Sequence, residues 1–316
     1  MTNSYLCIIF IYKSKKLWKK KHVLIGIIAI ATTIFSCKKE NKEPTAASSL
    51  FYTVYSDSII GKIDLKNGNA ISNFSKGIAS GLNRGSLLGL ALNTNTGEIY
   101  ATNEQTNGPI YKINTNGIAT ILYDGANADR PAGIAYSSST NKVYWSNRGD
   151  GKMYSISASG GTPTQMFVGF DDADGYSVKV DDKNGKIYFA NFDEIFIGNI
   201  DGSGTPTVLY SDKNDTLEAP SSIELDVDNN KIYWSDEFAD VVASANLDGS
   251  GNIKILFNNT THGVDRSDGL AIDFVSKKIY WTETDGVGRI RVGNLDGSGT
   301  PITLNSGFDT YNLLLK

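Results

Sequence analysis

Cysteine and histidine are the scarcest chemically useful residues of this chain, two of each among 316 residues. Cys7 and Cys37 both precede the region that reads as folded domain. A disulfide scaffold and a thiolate metal centre are therefore excluded from that domain, whose stability must come from packing. The longest apolar run, Val23 to Phe35, has 13 residues, short of the ~20 that a bilayer-spanning helix needs. Basic residues are few outside the N-terminus. Residues 1–36 hold six of the 30 Lys and Arg and none of the 34 Asp and Glu, so residues 37–316 have 24 basic against 34 acidic side chains, a net charge near −10. That balance excludes a nucleic-acid partner, which needs a basic face. His22 belongs to the same leader, which leaves His262 as the one histidine beyond it.

What the chain does have is a repeat. Tyr100, Tyr144, Tyr188, Tyr233 and Tyr280 succeed one another at intervals of 44, 44, 45 and 47 residues, a period suited to one small antiparallel sheet per unit. Each heads a β-rich stretch: Lys142-Val143-Tyr144-Trp145-Ser146-Asn147, Lys231-Ile232-Tyr233-Trp234-Ser235-Asp236 and Lys278-Ile279-Tyr280-Trp281-Thr282-Glu283 are three of them. A short strand begins 11 residues before every head, as in Gly89-Leu90-Ala91-Leu92 and Gly269-Leu270-Ala271-Ile272, and a constant offset means a fixed turn. Beyond each head a third and a fourth strand flank a glycine-rich turn. Asp201-Gly202-Ser203-Gly204, Asp248-Gly249-Ser250-Gly251 and Asp296-Gly297-Ser298-Gly299 are its clearest copies, and such dipeptides supply the positive φ of tight hairpins.

The repeat has six turns but five tyrosine heads. Val54-Tyr55-Ser56-Asp57 reads as the degenerate first head, 46 residues before Tyr100. No inner strand precedes it, whereas Asn312-Leu313-Leu314-Leu315 reads as an inner strand with no head after it. The C-terminal strand is therefore expected to complete the blade begun by Phe51 to Phe74, which leaves no open edge in the ring. The expectation is an all-β, six-bladed β-propeller of four-stranded antiparallel blades over residues 51–316.

The repeated text, Lys-Ile-Tyr-Trp-Ser/Thr-Asp/Glu after Gly-Leu-Ala-Ile-Asp and before Asn-Leu-Asp-Gly-Ser-Gly, resembles the Tyr-Trp-Thr-Asp repeat of low-density-lipoprotein receptor class B modules. The resemblance covers Phe51 to Lys316 and is most complete over Lys231 to Leu304. It implies a six-bladed propeller. Receptor members bind protein ligands beside disulfide-rich modules, which this chain lacks, so the resemblance carries fold rather than function.

Residues 1–36 read as a leader: a lysine cluster from Lys13 to Lys21, the apolar run, then Ser36-Cys37. Ile34-Phe35-Ser36-Cys37 resembles a bacterial lipobox, which implies lipidation of Cys37 and a place in the cell envelope, at the outer membrane and facing the periplasm or the surface. The additional apolar patch Leu6 to Tyr12 is foreign to a compact signal, and a start at Leu17 would remove it. Residues 37–50 read as a tether too polar to pack, and its Lys38-Lys39-Glu40 resembles lipoprotein sorting signals.

Function is expected at the channel mouth, where the varied loops gather: those joining strand four to the next strand one, and strand two to strand three. Three residues before each inner strand's first position stand Ser86, Arg130, Asp174, Ala219, Arg266 and Asp309; one residue before it stand Leu88, Ala132, Tyr176, Ser221, Asp268 and Tyr311. With Arg84, Glu218, His262 and Asp265 nearby, these give a mixed-charge, aromatic mouth suited to a protein or polar ligand. The plainer alternative is that Arg130 pairs with Asp174, and Arg266 with Asp309, between neighbouring blades. Phe192 and Phe238 follow strand two and are candidate rim anchors, unless each is tucked against its neighbour. The tryptophans and the Asx or Glu three residues after each head read as blade packing and backbone ties.

No catalytic signature is present and no cofactor is implied. Asp174, Glu218, Asp265 and Asp268 are the side chains able to hold a divalent cation at the mouth, which keeps a metal-dependent hydrolase or lactonase as the second reading. Asp226, Asp228, Asn230 and Glu237 imitate a calcium loop, but Lys231 stands where that loop needs glycine.

Overall fold

A computed structural model describes residues 5–7, 37–39, 45–68, 70–71, 73–75, 86–168, 177–211, 217–307 and 309–316. The chain divides into two units, Met1–Pro44 and Thr45–Lys316. In the first, Tyr5–Cys7 pairs antiparallel with Cys37–Lys39. The apolar run Val23 to Phe35, the tether residues 40–44, Arg84, Asp174 and Tyr176 lie outside the described residues. Among the described residues no helix is long and apolar enough to cross a membrane.

The second unit is six four-stranded antiparallel sheets. Blade two comprises Leu87–Leu92, Ile99–Asn103, Ile110–Ile113 and Ala119–Tyr123. Blade three comprises Pro131–Ser137, Lys142–Asn147, Lys152–Ser157 and Thr164–Val168, and blade four Ser177–Asp181, Lys186–Asn191, Glu194–Asn199 and Thr207–Ser211. Blade five comprises Pro220–Asp226, Lys231–Asp236, Val241–Asn246 and Lys254–Asn258, and blade six Ser267–Asp273, Lys278–Glu283, Arg289–Asn294 and Ile302–Ser306. Blade one is composite: Leu313–Leu315 is its inner strand, followed outward by Ser49–Val54, Ile59–Asp64 and Ala70–Ile71. Consecutive inner strands touch all the way round, including the first with the sixth, so the expected closure is present.

The first blade's register differs from the expectation by three residues. Phe51 pairs with Leu314 of the inner strand, as Tyr233 pairs with Glu224 and Tyr280 with Ala271. The degenerate head is thus Phe51-Tyr52-Thr53-Val54, 49 residues before Tyr100 rather than 46. Tyr55 to Ser58 form the turn after it. Phe51 and Tyr52 fill the places of tyrosine and tryptophan with 3% and 0% exposure, which is the physical demand of the position.

Each part of the repeat has a mechanical reason. The hydroxyl two residues after the head ties inner strands together. Thr102 Oγ1 accepts the Gly89 N–H at 2.8 Å and donates to the Ala132 carbonyl of the next blade at 2.6 Å. Thr282 accepts from Gly269 and Thr53 from Asn312 in the same way, and Ser235 donates to the Asp268 carbonyl. A β-bulge at the start of the inner strand in blades two, three, five and six fits this arrangement. Glycine allows the approach, since a Cβ on Gly89 would lie 2.2 Å from the Ala132 oxygen. Six apolar clusters fill the six interfaces between blades, with Trp145, Trp234 and Trp281 wholly buried, each worth ~3 kcal/mol relative to exposure. The tryptophans are therefore packing elements, as expected.

An aromatic near the end of strand four completes the interface. Phe257 stacks on Trp281 of the next blade with centroids 5.0 Å apart and occupies the space over Gly293, where a Cβ would meet its ring at 2.5 Å. Phe167 lies likewise over Gly198, and Tyr210 Oη donates to the Asn246 carbonyl at 2.6 Å.

Candidate functional site

Antiparallel alternation puts the strand-two-to-three turns and the blade-to-blade connections on one face. A repeated backbone bond fixes these loops side by side. The N–H of the residue four after the head donates to the carbonyl three before the inner strand: Tyr55 to Asp309, Glu104 to Ser86, Arg148 to Arg130, Glu237 to Ala219 and Thr284 to Arg266, at 2.8–3.1 Å. The mouth is therefore ringed by Tyr55, Glu104, Arg148, Phe192, Glu237 and Thr284, interleaved with the ring expected from the sequence. Arg130 and Arg266 occupy the left-handed region at φ 53° and 49°, unusual for a non-glycine residue. Each is held there by its own N–H, which donates to Gln105 O and to Asp240 Oδ1, both at 2.8 Å.

On one side of the mouth Glu104 is the hub. Its Oε1 accepts from Arg130 Nη2 at 2.6 Å and from Arg148 Nη1 at 2.8 Å, while Oε2 accepts from Tyr55 Oη at 3.1 Å. Glu104 is nearly buried, with 4% of its side chain exposed, and Arg130 at 41% remains open to a ligand. Beside them lies an open cavity of about 410 Å³ lined by Glu104, Gln105, Thr106 and Arg130.

Across the mouth the pattern repeats with another partner. Arg266 pairs with Glu237, and behind them Asp268 is buried, accepting from Thr284 Oγ1 at 2.8 Å. Burial first, then the neighbouring Glu237 carboxylate, push Asp268 up to about 8, with Thr284, Arg266 and Ser221 opposing the shift. Asp268 is therefore largely a neutral carboxylic acid at pH 7. The Tyr311 hydroxyl is raised by burial and by Asp309, Asp268 and Glu237, and its ring meets Tyr55 at 4.8 Å. This aromatic contact joins the two charged groups.

One expected pairing thus needs correction, since Arg266 takes Glu237 rather than Asp309; Arg130 pairs with Glu104, and its expected partner Asp174 lies outside the described residues. In both cases the carboxylate comes from the strand-two-to-three turn of the preceding blade, the shortest reach from a connection pinned to that turn. Asp309 supplies its carbonyl to Tyr55, and burial raises its carboxyl.

Phe192 and Phe238 combine both readings considered for them. Their rings meet edge-on at 6.0 Å, yet they remain 45% and 53% exposed. Val287, on the corresponding turn of blade six, is also exposed. His262 is placed differently from the mouth residues. It ends a short helix, Asn259–His262, its ring packs edge-on against Phe257 and its carbonyl accepts from Arg291 Nη2 at 2.9 Å. Glu218 is held through its backbone N–H by Asp236 at 2.9 Å, and Asp265 is half-buried. Among the described residues no three His, Cys, Asp or Glu side chains converge as a metal site.

The residue three after the head is a backbone tie in blade five, where the Asp236 carboxylate accepts the N–H groups of Glu218, Ala219, Phe238 and Ala239. In blade six it is an ion-pair centre: Glu283, wholly buried, accepts from Arg291 Nη1 and Trp281 Nε1, both at 2.9 Å, with Arg289 Nε at 3.1 Å. In blade one it is the buried Val54, not Asp57.

No family model matches the chain. A stretch of 152 residues, 48% of the chain, is 26% identical to the vitellogenin receptor of Solenopsis invicta, and spans 8% of that protein's length. Among solved structures the chain is similar to one from the nidogen/laminin complex, with TM-score 0.68 and 15% identity over 84% of this chain and 97% of that one. It is also similar to TolB from Agrobacterium tumefaciens, with TM-score 0.59 and 13% identity over 85% and 92% of the two chains. A third similarity is to catalytically inactive virginiamycin B lyase from Staphylococcus aureus, with quinupristin, at TM-score 0.55 and 19% identity over 71% of each chain. At such identities a structural likeness carries fold alone. Together with the repeat text, the comparisons support a β-propeller with repeats of the low-density-lipoprotein receptor type.

Proposed function

We propose that this propeller is a lipid-anchored module of the cell envelope that binds a protein or polar ligand on its channel-mouth face, without catalysis. The observation that carries this reading is the exposed Phe192–Phe238 pair beside a mouth whose nearly buried carboxylates pair with partly exposed arginines. Large aromatics held at a rim around polar groups are the usual anchors of a binding surface. Arg130, partly open beside the 410 Å³ cavity, adds a place for an acidic or hydrogen-bonding group. Similar folds occur in a nidogen/laminin complex, which is consistent with a protein partner. Anchoring through Cys37 rests on the leader pattern alone.

The test is crosslinking of the full chain in its own membranes, followed by identification of what is captured. The combined substitution Phe192→Ala and Phe238→Ala should abolish capture while thermal unfolding stays within a few degrees of the parent. Retained capture by a folded double variant would sink the mouth-face assignment. Cys37→Ser should move the protein from the membrane to the soluble fraction. The metal-dependent hydrolase has no comparable observation in its favour among the described residues.

A further inference from the structure

The face opposite the mouth carries the turns between first and second strands. Four of them have mainly polar tips: Thr94-Asn95-Thr96-Gly97, Ser138-Ser139-Thr140-Asn141, Asp182-Lys183-Asn184-Gly185 and Val227-Asp228-Asn229-Asn230. The blade-six turn is Phe274-Val275-Ser276-Lys277, with Phe274 and Val275 exposed by 40% and 46%. Turn geometry does not require apolar residues there. Asp273 Oδ1 accepts the N–H groups of Val275 and Ser276 at 3.0 and 3.1 Å, and Asp181 Oδ1 does the same for Lys183 and Asn184 in a polar turn.

Its location supplies the second observation. The other oxygen of Asp273, Oδ2, accepts the Ala47 N–H at 3.0 Å, so the apolar tip lies beside the place where the chain enters the propeller. Ser48 and Ser49 then bond the Lys316 carbonyl as the strand begins.

We propose that Phe274 and Val275, with the exposed Lys277 beside them, rest on a lipid surface, holding the turn face toward the membrane and presenting the channel mouth away from it. The proposal rests on the lipid-anchor reading of Cys37. From Cys37 to Thr45 is eight residue steps, at most ~27 Å at full extension. A six-residue strand is ~20 Å long and the loops thicken the disk further, so a leash leaving the turn face is too short to pass round to the mouth side. Charge alone would not select this contact, because Asp201, Asp248 and Asp296 stand on the same face. Two apolar side chains would also hold a free protein weakly. Tethering makes the contact intramolecular, and under that condition a weak contact is occupied.

The experiment uses the full, membrane-bound chain in vesicles of phosphatidylethanolamine and phosphatidylglycerol. Val275→Cys and, on the mouth face, Val287→Cys are each made on a Cys7→Ser background and labelled with an environment-sensitive thiol dye. The expected result is a blue-shifted dye at 275, shielded from a water-soluble quencher, and a fully quenched dye at 287. Equal quenching at both positions, or shielding at 287 alone, in protein that Cys37→Ser releases from the vesicles would overturn the proposal and leave the anchor standing. A parent protein that does not associate with vesicles would overturn both.

Discussion

Replacing Asp268 with asparagine tests the chemistry of the mouth most directly. Asp268 is 4% exposed, accepts from Thr284 and faces the Glu237 carboxylate, and these surroundings push it up to about 8. In the unfolded chain the same carboxyl titrates near the ordinary ~3.9. Between about pH 4 and pH 8 the folded protein therefore keeps a proton that the unfolded chain releases, and stability falls as pH rises through that window before levelling off. A separation of about four pH units corresponds to ~5–6 kcal/mol at ~1.4 kcal/mol per unit. Asparagine keeps an oxygen for Thr284 and does not titrate. Urea unfolding at about pH 5, 7 and 9 should show the variant gaining ~4 kcal/mol on the parent across the range, with most of the gain complete by about pH 8. A difference that stays constant with pH, or a parent that gains on the variant, would refute the buried, protonated assignment.

Glu283→Ala leaves the charges of Arg289 and Arg291 without their buried carboxylate and should cost ~3–5 kcal/mol, seen as a lowered melting temperature; an unchanged melting temperature would contradict the ion-pair centre. Asp182 of blade four sits among the hydroxyls of Ser137, Ser138 and Ser139 of blade three; burial would raise its carboxyl, but those donors and the Ser138 N–H outweigh it and hold the group below its usual value. Asp182→Ala should therefore cost ~1–2 kcal/mol at neutral pH. Stability from a lowered carboxyl is complete above its unfolded value and lost as pH falls through its folded one. The cost should accordingly vanish under strongly acidic conditions, and urea midpoints at neutral and acid pH provide the check.

Most of the architecture was legible because the repeat encodes steric and hydrogen-bonding requirements directly. Glycine at the start of the inner strand, a hydroxyl two after the head and Asp-Gly at the outer turn each answer a contact that only a few residue types satisfy. Where a position asks merely for a large buried side chain, the signal weakens. Phe51 and Tyr52 satisfy it as well as tyrosine and tryptophan do, and so the first blade was displaced by three residues toward Tyr55. The aromatics in strand four or just beyond it, Phe74, Tyr123, Phe167, Tyr210 and Phe257, recur at intervals of 49, 44, 43 and 47 residues and carry the correction within the sequence itself. The 49-residue interval from Phe74 to Tyr123 equals that from Phe51 to Tyr100.

The mouth was legible in outline only, and the reason lies in how its charges are satisfied. Arg130 and Arg266 were identifiable because they occupy one repeat position, but their partners Glu104 and Glu237 stand on a different element of the preceding blade, 26 and 29 residues away. Each arginine's own N–H ties its connection to the preceding blade's turn, through the Gln105 carbonyl and the Asp240 carboxylate, and this brings the guanidinium to the glutamate on that turn. The ring four residues after each head was therefore available in the sequence, yet its residues, Tyr55, Glu104, Arg148, Phe192, Glu237 and Thr284, share no chemistry that would mark it. Variation at a structurally fixed position is what a binding surface requires. The Asp-Gly-Ser-Gly turns repeated in blades four to six on the opposite face stabilise the fold, whereas side chains that differ from blade to blade on a constant backbone give an asymmetric surface to a symmetric ring. The same contrast separates Phe274 and Val275 from the polar turns around them, and it locates both exceptional surfaces of this propeller by departure from its repeat.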